Sequence, residues 1–171
     1  LSRHCTSEKL SIRRRLALFR TACHALHHAH ERGVLHLDVK PGNILVAKQE
    51  GGETLKVVDF GQARMFATSP QGRAGLGTPP YTAPEQLRGE TIDRRADVHA
   101  LGVCLFQLLA DERPLAHLEL ADLSLPALLD AYTTPRTPPS SHVTADKAWA
   151  ATVRGDLDAI VAKATAQDPR D

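Results

Sequence analysis

The stretch Leu35–Leu45, LHLDVKPGNIL, sets His36, Asp38, Lys40, Asn43, a proline and a glycine between two apolar ends. Upstream, Leu16, Phe19, Cys23 and Leu26 recur at steps of three and four, which predicts an amphipathic helix over Ser11–Arg32 stopped by Gly33. Downstream, Ile44–Ala47 and Leu55–Val58 are short apolar runs joined by KQEGGET, which predicts a small hairpin. The quoted stretch is therefore a polar loop between a helix and a hairpin. Either it only turns the chain, or it acts on a charged group such as a phosphate.

The chain has 171 residues and begins with Leu1, which we read as one compact domain cut from a longer polypeptide. Its 21 Lys+Arg nearly balance 20 Asp+Glu, so charge steers it neither onto nucleic acid nor onto a membrane. Cys5, Cys23 and Cys104 are odd in number and widely spaced, which fits reduced thiols of a cytoplasmic protein. The longest apolar run, Ala100–Ala110, is too short to span a bilayer, and no leader opens the chain.

Gly61–Pro84 is rich in glycine and proline, and GLGTPPY within it cannot be helical; a loop of that length suggests function. DVHALGVCLFQLLA, Asp97–Ala110, is apolar nearly all round and predicts a buried helix. Another helix is expected between Leu115 and Asp130, then a loop through TTPRTPPSSH, and a last helix over about Gly155–Ala166.

Three further features fall in a telling order. Asp59-Phe60-Gly61 follows the second hairpin strand, Ala83-Pro84-Glu85 closes the long loop, and Asp97 opens the buried helix. With His36-Leu37-Asp38 and Asn43, this set resembles the C-terminal lobe of eukaryotic-type protein kinases across essentially the whole chain, and GTPPYTAPEQ, RADVHALGV and RGDLDAIVAKATAQDP resemble bacterial serine/threonine kinases most. The resemblance implies a mainly helical α+β fold, with a small hairpin beside the catalytic loop and the N-terminal lobe absent. It also implies a partial kinase domain over 1–171, with a catalytic loop at 36–43, a magnesium-binding loop at 59–61, an activation segment at 59–85 and a central buried helix at 97–110.

Phosphoryl transfer asks a protein mainly to hold nucleotide, metal and hydroxyl in line and to offset developing charge. By resemblance Asp38 orients or accepts the substrate hydroxyl proton, and Lys40 neutralises the γ-phosphate of ATP. Asn43 and Asp59, hard oxygen donors, hold Mg2+ or Mn2+. Leu45 lies under the adenine, and Gly77 with Thr78 forms the substrate-binding loop, Thr78 tying that loop to Asp38 and Lys40. His36, Phe60, Gly61, Glu85 and Asp97 are structural: the His36 ring packs beneath Phe60, and Asp97 holds the backbone around His36. Cys104 and Leu108 resemble the layer below Leu45, although core packing explains them equally well.

Taken singly, Asn43 and Asp59 would read as turn formers that bond their own backbone, and only the joint pattern reverses this. His24, His27 and His28 lie near one helix face, but no cysteine or carboxylate completes a metal set, so they are read as helix surface. His30 stands where the kinase family commonly has histidine.

The pattern departs in three places. Leu37 replaces the arginine that reads an activation-loop phosphate, so activity is expected not to depend on phosphate at Thr68 or Ser69. No glycine-rich loop or strand lysine precedes Leu1, so the fragment alone is expected to be inefficient. The arginine that pairs with the family's glutamate would fall just past Asp171, so Glu85 is expected to weaken the excised piece. The expected partners are ATP and proteins bearing serine or threonine, with no nucleic acid and no membrane contact. A pseudokinase scaffold is the alternative. A small-molecule kinase resembling aminoglycoside phosphotransferases is disfavoured by Lys40, Thr78 and the Ala-Pro-Glu motif.

Overall fold

A computed structural model describes residues 1–50, 52–60, 64–65, 78–116, 118, 122–133, 137–143 and 146–168. Helix α1 (Ser2–Ser7) leads to α2 (Ile12–His30), the expected amphipathic helix. Ser11 caps α2 by accepting from the Arg14 amide, and Gly33, at φ +73°, turns the chain away from its end. Strand β1 (Val34–Leu35), the loop and a 3-10 turn (Pro41–Asn43) follow.

The hairpin is longer than the sequence implied. Strand β2 (Ile44–Gln49) pairs antiparallel with β3 (Gly52–Val57) in the register Ile44 to Val57 and Val46 to Leu55. A second, unexpected ladder pairs β1 with β4 (Arg64–Met65). Beyond a 3-10 turn at Pro79–Tyr81 come α3 (Pro84–Arg88), α4 (Arg94–Ala110), α5 (Leu125–Thr133), α6 (Pro139–His142), α7 (Lys147–Val153) and α8 (Asp156–Ala164).

Helix α4 is the centre, as its composition implied. Asp93 caps it through the Arg95 amide, and one side, with Ala100, Cys104 and Leu108, joins Leu18, Ala22 and Leu26 of α2 and Ile44 of β2. Its other side, Leu105, Phe106 and Leu109, packs with Ile12, Val153 and Val161. Each such large side chain contributes about 1.5–3 kcal/mol by leaving water. Gly102 lets α8 come close: a Cβ there would stand 2.7 Å from the Ala164 Cβ.

Three expectations need correction. On α2 the fully buried line is Ile12, Arg15, Leu18, Ala22 and Leu26, while Leu16, Phe19 and Cys23 are half-buried. Apolar periodicity misplaced the stripe because its centre includes an arginine. Arg15 is 3% exposed, donates to the carbonyls of Leu10 and Leu108, pairs with Asp111 at 2.6 Å and lies over the Trp149 ring at 4.7 Å. Among the described residues, the helix expected between Leu115 and Asp130 is α5, which begins only at Leu125 and runs on to Thr133: Leu115 adopts φ +57°, and Pro126 fits in a first turn, which Ser124 caps. The loop expected through 133–142 contains α6: Pro138 and Pro139 start it, and Asp158 of α8 accepts from both the amide and the hydroxyl of Ser140. That cap is 18 residues away in sequence, so no local signal announces it. The loop over Gly61–Pro84 lies mostly outside the described residues, and so do Gly61, Thr68, Ser69 and Gly77.

Candidate active site

The loop between β1 and β2 is held from beneath by Asp97. This carboxylate, wholly buried at the start of α4, accepts from the amides of His36 at 2.9 Å and Leu37 at 2.8 Å. His30 of α2 donates Nε2–H to the same group at 2.7 Å. Leu37 sits at φ +64°, a left-handed conformation costly for a branched side chain. Its side chain is buried with Leu35, Ala83, Ala96 and Ile92, which offsets that cost.

His36 joins the two loops. Its Nδ1 accepts from the Asp38 amide at 3.3 Å, so the proton is on Nε2, which donates to the Val58 carbonyl at 3.0 Å. Its ring packs at 4.5 Å against that of Phe60. The Val58 amide donates to the Asn43 carbonyl at 2.9 Å. The residue before Asp59 is thus tied at both ends to the loop between β1 and β2, and Asp59 itself turns out at φ +65° with its side chain exposed.

Asp38, 7% exposed, is the hub. Lys40 Nζ reaches its Oδ2 at 2.6 Å and also donates to the Thr78 hydroxyl at 2.8 Å. That hydroxyl and the Thr78 amide donate to Oδ1 at 2.9 and 3.2 Å. Burial pushes the carboxyl up, but the bonds from Lys40 and Thr78 outweigh it and hold Asp38 below the usual aspartate range. It is therefore ionised at neutral pH. The Asn43 Nδ2 donates to the Asp38 carbonyl at 2.9 Å and to Oδ2 at 3.2 Å, which turns the amide oxygen away from Asp38.

Leu45, on β2, is 49% exposed, whereas Cys104 and Leu108 are buried in the core with Ile44. Glu85 is buried on α3; burial raises its carboxyl above the usual range, Asp93 and Glu90 add to the shift and Arg95 opposes it. His24, His27 and His28 are exposed. Among the described residues no group of three or more His, Cys, Asp or Glu is placed to hold a metal ion.

Two contacts went unread in the sequence. Tyr81 donates to Gln107 of α4 at 2.7 Å, anchoring the segment that carries Thr78. Gln86 is buried between Ala83 and the Leu37 carbonyl. Its position directly after Ala-Pro-Glu was the available signal.

Comparison with known proteins identifies the family and the fold. A model of the protein kinase domain matches residues 1–170. The serine/threonine-protein kinase PknB of Mycolicibacterium smegmatis is 36% identical over 168 residues, 96% of this chain and 25% of that protein. Pkn1 of Myxococcus xanthus is 41% identical over 154 residues, 87% of this chain and 20% of that protein. The solved structure of the Cydia pomonella granulovirus kinase PK-1 superposes with a TM-score of 0.69 at 25% identity, covering 90% of this chain and 51% of that one. The chain thus spans about a quarter of the length of the mycobacterial relatives it matches.

Proposed function

The chain belongs to the protein kinase family, and on that premise we propose that it is the C-terminal lobe of a serine/threonine protein kinase, transferring the ATP γ-phosphoryl group to serine or threonine hydroxyls of proteins. The single observation that carries this reading is the carboxylate of Asp38, ionised and clamped by Lys40 and Thr78. An oriented carboxylate beside an ammonium group is what in-line transfer to a hydroxyl requires.

In this reading Asp38 orients the incoming hydroxyl and takes its proton, while Lys40 offsets charge on the transferring group. Thr78 holds the substrate-facing segment, with Gly77, against both. The amide oxygen of Asn43, turned away from Asp38, and the exposed carboxylate of Asp59 are hard donors that fit Mg2+ or Mn2+. When bound, such an ion supplies charge neutralisation across the phosphates. Leu45 offers an exposed apolar surface to the adenine. His36, Phe60, Gly61, Glu85 and Asp97 support the loops. The functional divisions are the catalytic loop 36–43, the metal loop 59–61, the activation segment 59–85 and the central helix 97–110. Because Leu37 is buried among apolar side chains, activity is independent of phosphate at Thr68 or Ser69 being read by this loop. The free thiols of Cys5, Cys23 and Cys104 fit a cytoplasmic setting.

The test is transfer of labelled γ-phosphate by the full-length protein. The wild type incorporates label into serine or threonine of a protein substrate and Asp38→Asn does not. No transfer by the wild type, with partner binding intact, would establish the scaffold reading instead.

A further inference from the structure

Leu37 is a strained residue of this site, and two buried side chains from different helices grip it. Asp97 of α4 accepts from its amide at 2.8 Å, and Gln86 of α3 donates Nε2–H to its carbonyl at 3.4 Å. That carbonyl belongs to the peptide unit that begins Asp38. The other end of the Gln86 side chain is also engaged, since its Oε1 accepts from the Ala83 amide at 3.0 Å. This is half of a capping box, as alanine has no side-chain oxygen to return the bond. Gln86 is 8% exposed, so neither bond is exchanged freely for water.

We propose that Gln86 is a positioning residue for the catalytic aspartate: its amide group carries the docked state of the substrate-facing segment into the orientation of the Leu37–Asp38 peptide. The inference rests on the kinase reading above. With Ala83 in place, Oε1 is fixed and Nε2 is aimed at the Leu37 carbonyl. When the segment lifts away, that bond goes with it, and a left-handed leucine held only from the amide side no longer fixes the plane that leads into Asp38.

The experiment is steady-state kinetics of the full-length protein carrying Gln86→Glu or Gln86→Met. Methionine has nearly the same length and loses both bonds, so kcat falls about tenfold at every pH, with KM for ATP within about twofold of wild type. In Gln86→Glu the carboxylate still accepts from Ala83 but repels the Leu37 carbonyl. Protonated, it donates an O–H to that carbonyl. The groups around it are Asp97 beneath Leu37, Asp38 with its Lys40 beyond, and Glu85 alongside, each present in the wild type as well. The ratio of variant to wild-type kcat therefore rises as pH is lowered from 8 towards 5, and this rise is absent in Gln86→Met. A full kcat in either variant overturns the proposal, and so does a loss in Gln86→Glu that is flat with pH. A wild type that transfers no phosphate overturns the kinase reading, and the role of Gln86 falls with it; an active wild type with indifferent variants overturns only the role of Gln86.

Discussion

Replacing Asp97 with asparagine tests how the loop between β1 and β2 is held. The carboxylate is wholly buried and accepts three bonds, from Leu37 N–H and the pair His36 N–H and His30 Nε2–H. Asparagine keeps the shape but only one acceptor oxygen. Turned toward His36 and His30, it retains two bonds and points its NH2 group at the Leu37 amide, donor against donor. The lost bond to a charged acceptor is worth about 1.5–3 kcal/mol, and the donors left facing each other cost about 1–3 kcal/mol more. Removing a buried charge returns part of this. The net destabilisation is about 3 kcal/mol, which at an m-value of about 2 kcal/mol/M lowers the urea midpoint by about 1.5 M. Urea titration followed by circular dichroism and by Trp149, the sole tryptophan, measures it. Amide exchange at Leu37 and Asp38 accelerates in the same variant. Asp97→Ala orphans all three donors and must cost more than Asp97→Asn. A loss below about 1 kcal/mol for Asp97→Asn, or equal losses for the two variants, would refute the account.

Three other outcomes are expected. Arg15→Met leaves the Leu10 and Leu108 carbonyls unsatisfied and removes the cation from the Trp149 face, costing about 3 kcal/mol in thermal or urea melts and shifting the Trp149 emission. Gly102→Ala gains about 1 kcal/mol of helix propensity but drives a methyl group to 2.7 Å from Ala164 and 2.8 Å from Thr165, so overpacking of about 1–3 kcal/mol prevails and α8 loses protection from hydrogen exchange. Glu85 has a raised folded-state pKa, so its proton is bound more tightly in the folded chain: stability is greatest below the ordinary glutamate value and falls as pH rises through the folded one. Glu85→Gln in this chain therefore gains stability at pH 7 and none at pH 4, measured as melting temperature against pH.

The readable parts of this molecule are those in which the signal is local. The helix stops at Gly33, α4 is apolar on nearly every face, and a turn-forming run joins two β-branched stretches, so these elements appear where their residues are. The polar groups of the loop were legible as an ordered set, and the structure brings Asp38, Lys40, Asn43 and Thr78 into one bonded cluster. What was missed depends on residues far apart. The cap on α6 comes from Asp158, the partners of Arg15 lie on α4 and α7, and β1 finds β4 across the whole hairpin.

Leu37 and Asp59 make the same point at the site. Positive φ is written into a sequence when the residue is glycine, as at Gly33, but here leucine and aspartate take left-handed geometry with nothing local to favour it in leucine. At Leu37 the conformation is imposed by Asp97 and Gln86 from two helices, and by the burial of its side chain against Ala83, Ala96 and Ile92. A residue strained in this way persists only while both grips hold. The geometry of Asp38 is therefore a property of α3 and α4 as much as of the loop that carries it, and a substitution at either helix reaches the carboxylate without touching it.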